Sequence, residues 1–282
     1  MVLLRQLSKK QVRIIILILL IIISIFIGIF IFNKLIGKPY MGIIKIDGSI
    51  SSESKKDSIL ELIQSAKENR SIKAVVLEIN SPGGEASIIE EIYLSLLELR
   101  RKKPIVASID QLGASGAYYI AIASNYIFAK PSSDIGSIGV ISVLPEKEPL
   151  DENIITTGTL KGVGTPRKEL TRQMQMIQES FLRAVMFQRE DKLKISKEEL
   201  ADARVYVGFD ALNFGLIDAL GTKEEAIEKA AKLARISNYE VMELNEELVI
   251  EITISLSVDQ SILNSSTNTV PMNYYLYINL EK

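Results

Sequence analysis

Hydrophobic and polar positions divide the chain into three parts. Between Ile14 and Phe32 almost every side chain is a hydrocarbon, and no polar face interrupts the run. Between Met41 and Ile236, short apolar runs alternate with stretches whose apolar residues recur at helical spacing, which is the pattern of strands alternating with helices. Between Leu248 and Val258 the even positions are apolar and the odd positions mostly polar, which predicts a half-buried strand. The predicted parts are an amino-terminal anchor at 1–38, a body at 39–236 and a carboxy-terminal extension at 237–282.

The amino-terminal run predicts a transmembrane helix. The residues from Ile14 to Phe32 would span about 28 Å as a helix, enough to cross the hydrocarbon core of a bilayer. Four basic residues precede the run and two follow it, which places the amino terminus on the cytoplasmic side. A cleaved signal peptide is the alternative, but its apolar region would be shorter and would end in an Ala-x-Ala-like site. We therefore expect an uncleaved single-pass anchor in the cell membrane, with the rest of the chain on the extracytoplasmic side.

The body has the alternation of strands and helices that is typical of a parallel sheet. Strands are predicted at 42–46, 74–79, 105–109, 126–129 and 138–142. Helices are predicted at 58–70, around Ile89–Leu99, after Ser115 and at 173–193, the last with Thr171 as its N-cap. The capping-box sequence Ser196-Lys-Glu-Glu199 predicts the start of another helix. The fold class is therefore α/β with a right-handed parallel core.

Composition excludes several kinds of site. The chain contains no histidine and no cysteine, which rules out a Ser-His-Asp triad, a Cys-His dyad, a His-ligated zinc ion and disulfides. The net charge of -2 gives no indication of a nucleic-acid partner, and we predict neither a cofactor nor a metal. A serine nucleophile in this chain would need another base, and a neutral lysine is the main option left.

Two glycine-containing turns follow successive predicted strands. The first is Ser81-Pro-Gly-Gly84, and the second is Gly113-Ala-Ser-Gly116. Both would lie at the carboxyl edge of the sheet, where open α/β folds bind ligands. Ser115 lies at a strand-to-helix turn, where a hydroxyl can lie beside free backbone N–H groups. A helix N-cap is the alternative role for this serine, and an ordinary turn is the alternative for the first motif.

Lys161 is the candidate base. It lies among small and apolar residues and has no charged neighbour before Arg167. Burial of such a lysine disfavours the ammonium form and lowers its pKa. A solvated loop lysine is the alternative.

Five motifs in order resemble those of the signal peptide peptidase A (SppA) family, in its short, single-repeat form. The similarity covers approximately Gly42 to Ala234. The motifs are Ser81-Pro-Gly-Gly84, Gly113-Ala-Ser-Gly-Ala-Tyr-Tyr119, Gly136-Ser-Ile-Gly-Val140, Gly158-Thr-Leu-Lys-Gly-Val-Gly-Thr-Pro166 and Ala211-Leu-Asn-Phe-Gly-Leu-Ile-Asp-Ala-Leu-Gly221.

The resemblance implies a membrane-anchored serine endopeptidase with a Clp-protease/crotonase-like fold of repeated ββα units. By motif, Ser115 would be the nucleophile and Lys161 the general base, with the N–H groups of Gly84 and Gly116 forming the oxyanion hole. Ser137 is a candidate hydroxyl partner for the lysine, or else a structural turn serine. The implied substrates are cleaved signal peptides and other hydrophobic peptides. The implied assembly is a homo-oligomeric ring in which neighbouring subunits share each active site.

Three other functions remain open. One is an NfeD-associated Clp-class membrane protease with a specific membrane-protein target. Another is an inactive scaffold that binds hydrophobic peptides without cleaving them. The third is a crotonase-like enzyme acting on acyl-CoA, which the predicted anchor and the candidate Ser-Lys pair disfavour, because such enzymes need no serine nucleophile.

Overall fold

The computed structural model describes residues 9–35, 37–143, 157 and 166–246. Its helices are α1 (Lys9–Leu35), α2 (Glu53–Glu68), α3 (Ala86–Arg100), α4 (Gly116–Ala121), α5 (Arg167–Arg189), α6 (Lys197–Ala201), α7 (Gly208–Asn213) and α8 (Lys223–Ala234). Its strands are β1 (Tyr40–Asp47), β2 (Ile72–Ser81), β3 (Ile105–Ala114), β4 (Tyr126–Ala129), β5 (Asp134–Gly136), β6 (Val205–Val207), β7 (Ala219–Leu220) and β8 (Glu240–Glu243).

The strands form one sheet in the order β6-β5-β3-β2-β1-β8, and β4 pairs with both β3 and β7. Every pair is parallel except β5 with β6. The predicted parallel α/β core is therefore confirmed, although the sheet as a whole is mixed. Strand β3 lies at its centre, because β3 pairs with β2, with β4 through Val106–Ile109 and with β5 through Leu112–Ala114.

Both faces of the sheet are buried, which explains the nearly continuous apolar runs in β2 and β3. Val75, Leu77 and Ile79 of β2 pack in the larger core, together with residues of α2, α3, α4 and α5. Ala74 and Val76 point to the other face and pack with alanines of α8. Each buried Val, Leu or Ile contributes about 1.5–3 kcal/mol, so this double burial fixes the central strands.

Two helix starts differ from the prediction. Helix α2 begins at Glu53 rather than at 58, because Ser52 caps it by accepting a hydrogen bond from the Lys55 N–H. The prediction that Thr171 caps α5 was wrong. The helix begins directly after Pro166, and the Thr171 hydroxyl donates to the Arg167 carbonyl from within the helix. The capping box at Ser196 is confirmed.

The predicted strand at 138–142 was wrong. The strand in this region, β5, ends at Gly136, where φ is 106°, and Ser137 follows with φ of 51°. Two successive left-handed residues cannot continue an extended strand. Ile138 is buried, but Ile141 is 98% exposed, so the apolar residues beyond 138 do not join the sheet.

The predicted anchor and the predicted carboxy-terminal strand lie at the two ends of the chain. The amino-terminal apolar run is helical within α1. Counted over the residues that the structure describes, no helix combines the length and the apolar character needed to cross a bilayer. At the other end, β8 joins the sheet beside β1. The predicted strand at 248–258 lies outside the described residues, and the three predicted domain boundaries stay predictions.

Candidate active site

The loops that follow β2 and β3 contact each other at the carboxyl edge of the sheet. Gly83 has φ of 95°, and a Cβ added there would lie 2.5 Å from the Gly116 nitrogen and 3.1 Å from the Ala114 oxygen. The buried Ser81 hydroxyl accepts a hydrogen bond from the Gly83 N–H at 3.1 Å and fixes this turn. Because only glycine permits so close an approach, the Ser-Pro-Gly-Gly turn is more than an ordinary connection.

Backbone bonds to Ile50 fix the position of Gly84. The Ile50 N–H donates to the Gly83 carbonyl at 2.9 Å, and the Glu85 N–H donates to the Ile50 carbonyl at 3.0 Å. Neither the Gly84 N–H nor the Gly116 N–H donates to an acceptor among the described residues. Two adjacent donors without an acceptor of their own are the arrangement that stabilises an oxyanion.

Ser115 joins β3 to α4 in a strained conformation. Its φ of 53° and ψ of -125° are rarely adopted by a residue with a side chain. Its N–H donates to the Gly136 carbonyl at 2.7 Å. The side chain occupies the N-cap position but makes no capping hydrogen bond, so the alternative that Ser115 only caps the helix was wrong. The hydroxyl is therefore available for other chemistry.

A cavity of about 630 Å³ opens beside Ser115 and Gly84. It lies between the amino-terminal turns of α3 and α4, helix α5, and residues 139–142. Helix α5 contributes an apolar face to its lining, made of Leu170, Met174, Ile177 and Phe181. Sequence reasoning missed this wall, although the spacing of these four residues is that of one helical face.

Tyr119 places a neutral hydroxyl in the lining of the cavity. Its ring stacks on that of Phe181 with centroids 4.5 Å apart. Burial raises the pKa of the Tyr119 phenol, although a hydrogen bond with Ser180 opposes the shift. The phenol therefore stays protonated at neutral pH.

Ser137 and Gln178 hold the segment that leads into the cavity wall. The Ser137 N–H donates to the Arg204 carbonyl at 2.8 Å, and the preceding residue, Gly136, supplies the carbonyl that binds Ser115. The Gln178 amide nitrogen donates to the carbonyls of Ile138 at 3.2 Å and Ala201 at 2.9 Å. Sequence reasoning missed Gln178, because one polar residue in an amphipathic helix gives no signal.

Four of the five predicted site residues therefore lie together. Ser115, Gly84 and Gly116 line one cavity, and Ser137 lies in the turn behind it. Lys161 lies outside the described residues, so its role as the base stays a prediction.

The fold and these turns define a class: an α/β protein with a strained serine at a strand-to-helix turn, next to backbone donors and an apolar cavity. A family model described as "Peptidase family S49" matches residues 98–237. "Putative protease MJ0651" of Methanocaldococcus jannaschii is 34% identical over 70% of this chain and 68% of its own length. "Putative signal peptide peptidase SppA" of Enterococcus faecium is 29% identical over 76% of this chain and 67% of its own length. The chain belongs to peptidase family S49 and is of the SppA type, which confirms the resemblance.

A solved structure agrees at the level of the fold. A mutant of the "1510-N membrane-bound stomatin-specific protease" superposes with a TM-score of 0.53 at 17% sequence identity. The alignment covers 74% of this chain and 98% of that chain. The Clp-protease-like fold is thereby confirmed.

Proposed function

We propose that this S49 peptidase is a membrane-anchored serine endopeptidase in which Ser115 is the nucleophile and Lys161 the general base. The observation that carries the proposal is the strained Ser115 turn, which opens on an apolar cavity next to two backbone N–H groups without an acceptor of their own among the described residues. Strain of this kind is typical of nucleophiles at strand-to-helix turns.

In this mechanism neutral Lys161 takes the proton from the Ser115 hydroxyl as its oxygen attacks the peptide carbonyl carbon. The N–H groups of Gly84 and Gly116 donate to the oxyanion of the tetrahedral intermediate. When the C–N bond breaks, the lysine ammonium returns its proton to the leaving amine, and an acyl-enzyme remains. Water then attacks the ester, again with Lys161 as base, and the acid product leaves with Ser115 restored.

The apolar cavity supports hydrophobic peptides as substrates. Leu170, Met174 and Ile177 would contact an apolar side chain of a peptide bound in extended form. The name of the E. faecium relative supports signal peptides within this class.

The anchor and the assembly belong to the same proposal. The run from Ile14 to Phe32 supports an anchor. Residues 29–32 of this run lie outside the residues whose side chains the structure describes. A homo-oligomeric ring would let Ser115 of one subunit and Lys161 of another form one site.

The test uses the purified full chain and a fluorogenic apolar peptide. Ser115→Ala and Lys161→Ala should each lower kcat by several orders of magnitude, and a lost serine nucleophile typically costs about 10⁶-fold. Ser132→Ala changes an exposed serine away from the cavity and serves as control. Near-normal activity of Ser115→Ala would refute the mechanism, and failure of a serine-reactive probe to label wild type would favour the inactive scaffold.

Three further measurements refine the proposal. Because Lys161 must be neutral to act, activity should rise toward alkaline pH. Mixing the Ser115→Ala and Lys161→Ala chains should restore some activity if subunits share sites. Comparing signal-peptide fragments with intact membrane proteins as substrates separates the proposed function from that of a protease with one membrane-protein target, such as the stomatin-specific protease of the same fold.

A further inference from the structure

The amino edge of the sheet, where β1, β2 and β3 begin, carries a concentration of positive charge. Residues around Ile72 and Ile105, the first residues of β2 and β3, supply it. We call this surface the basic edge, and its members are Arg70, Lys73, Arg100, Arg101, Lys102 and Lys103. All lie within a few residues of a strand start, so the parallel sheet brings them to one side of the molecule.

Lysines of the basic edge donate to backbone carbonyls, and no member of the basic edge forms an ion pair with a carboxylate of the described residues. The Lys73 ammonium donates to the Arg70 carbonyl at 2.8 Å, and the Lys103 ammonium donates to the Asn69 carbonyl at 2.6 Å. Burial lowers the pKa of Lys103, and the neighbouring charges of Lys73 and Lys102 lower it further. These lysines therefore lie close enough to repel one another.

The nearby carboxylates bond to groups outside the basic edge, although Arg101 and Lys102, after Lys67, also help to lower the pKa of Glu98. Glu98 pairs with Lys67 at 2.7 Å, and Glu240 pairs with Lys38 at 3.1 Å. The Glu68 carboxylate accepts a hydrogen bond from the Gln64 amide. The basic edge is thus positive in a chain whose net charge is -2, and it fits a surface with many negative charges.

Chain length places the basic edge next to the proposed anchor. Helix α1 ends at Leu35 and β1 begins at Tyr40, and the four residues between them span at most about 14 Å. The Tyr40 N–H donates to the carbonyl of Ser71 at 2.8 Å, and Ser71 directly follows Arg70. If α1 crosses a bilayer, the basic edge lies within reach of the lipid headgroups.

We propose that the basic edge docks on anionic phospholipid headgroups and fixes the orientation of the peptidase body on the membrane. This inference rests on the proposed membrane anchor. It has a consequence for substrate access, because strands of the length of β1, eight residues, hold the two edges of the sheet roughly 26 Å apart. The carboxyl edge, which carries Ser115, would then face away from the lipid, and a peptide would have to leave the bilayer in extended form before cleavage.

The absence of cysteine from the chain permits a clean test with single-cysteine reporters. Full-length protein carrying Ser71→Cys at the basic edge, or Ser132→Cys in the loop after β4, is labelled with a fluorophore. It is then inserted into nanodiscs of phosphatidylcholine, or of equal parts phosphatidylcholine and phosphatidylglycerol. Quenching by a nitroxide on the lipid headgroup reports how close each reporter lies to the bilayer surface.

The reporter at 71 should be quenched more strongly with phosphatidylglycerol, and the reporter at 132 should be quenched little in either lipid. Lys73→Glu with Lys102→Glu should abolish the difference, because each cation near an anionic surface shifts the docking equilibrium roughly fivefold. Salt at about 1 M, where the screening length is only about 3 Å, should do the same. The matched variant Lys168→Glu with Lys194→Glu reverses two exposed charges on or after α5 and should keep the difference.

Equal quenching at position 71 in both lipids, or no effect of reversal at the basic edge, would overturn the docking proposal. Failure of the protein to stay in pure phosphatidylcholine nanodiscs would overturn the anchor itself, and the docking proposal with it. The two failures are distinguishable, because retention in phosphatidylcholine depends on α1 and not on the basic edge.

Discussion

At its carboxyl edge the sheet ends in glycine turns whose N–H donors have no acceptor among the described residues, whereas charged side chains lie at its amino edge. Gly84 and Gly116 present backbone dipoles to an apolar cavity. At the other edge, Asp218 accepts a hydrogen bond from the N–H of Ile127, near the start of β4, and binds Arg189 at 2.8 Å. The carboxyl edge therefore carries the groups that the proposed mechanism uses, whereas charge at the amino edge stabilises the body and, in the docking proposal, orients it.

The largest effect expected from this comparison of the two edges is on stability, and it concerns the amino edge. Asp218 and Arg189 are 5% and 3% exposed in their side chains. Asp218→Asn leaves the guanidinium buried without a countercharge, which should lower the free energy of unfolding by about 3–5 kcal/mol. The folded fraction should still cleave peptide at the wild-type rate, because the pair lies outside the cavity lining. Urea unfolding and active-site titration measure the two quantities separately.

The same ion pair should make the stability of the protein depend on pH. Burial alone would raise the pKa of Asp218, but hydrogen bonds and charge from Arg189, followed by Lys192, hold it below its ordinary value. Its stabilising contribution is complete above the unfolded pKa of about 3.9 and is lost as pH falls through the lower folded pKa. Wild type should lose stability in this range and Asp218→Asn should lose less.

The exposed pair of Asp202 with Arg204, at 2.9 Å, provides the control. Asp202→Asn should change the free energy of unfolding by less than about 1 kcal/mol. If Asp218→Asn cost no more than Asp202→Asn, the stabilising role of charge at the amino edge would be wrong.

At the carboxyl edge, Gly84→Ala should reduce kcat by about 10²–10³, the usual effect of losing one oxyanion donor. A Cβ at this position would lie 1.8 Å from the Ile50 carbonyl oxygen, so the backbone must shift and its N–H with it. Gly48→Ala is the control for backbone strain alone, because φ at Gly48 is 69° but a Cβ added there meets nothing within 4 Å. More than a tenth of wild-type kcat in Gly84→Ala would argue against this donor.

The parts of the fold that could be predicted from the sequence are those with a local sequence signal. Glycine turns after apolar runs located the edge that carries Ser115, and the run of hydrocarbons located α1. The strand predicted at 138–142 failed because hydrophobicity does not reveal the left-handed φ of Gly136 and Ser137, which turns the chain away from the sheet. Burial on both faces of β2 follows from its continuous apolar run, but the partner of each face depends on tertiary packing.

The cavity illustrates the same limit. Leu170 and Phe181 lie on an obvious helical face, yet their place in the cavity that Ser115 also lines depends on the tertiary packing of α5 against α4 and α6. Gln178 has no local signal at all, because its two acceptors, on Ile138 and Ala201, lie 40 and 23 residues away in the chain.

The smallest expected effect is on substrate preference. It shows whether a side-chain hydrogen bond, in addition to the backbone, shapes the cavity at the carboxyl edge. Gln178 donates to the carbonyl before the cavity wall at 139–142. Gln178→Glu keeps the size of the side chain but replaces the donor by a carboxylate facing two carbonyl oxygens, which should move the wall away from α5. The preference for leucine over alanine in the residue that enters the cavity should then fall by roughly tenfold, since one methylene is worth about 10–200-fold in such pockets.

The ratio of kcat/KM for two peptides that differ only in this residue measures the effect, and it is insensitive to the fraction of enzyme that is folded. Gln175→Glu makes the same chemical change at an exposed position of α5 outside the cavity lining, and it should leave the ratio unchanged. Labelling of Ser115 by a small serine-reactive probe should persist in Gln178→Glu, because the probe needs the nucleophile and the oxyanion donors but not the wall. If the ratio were the same in wild type and Gln178→Glu, the width of the cavity would not depend on this hydrogen bond, and only backbone groups would shape the carboxyl edge.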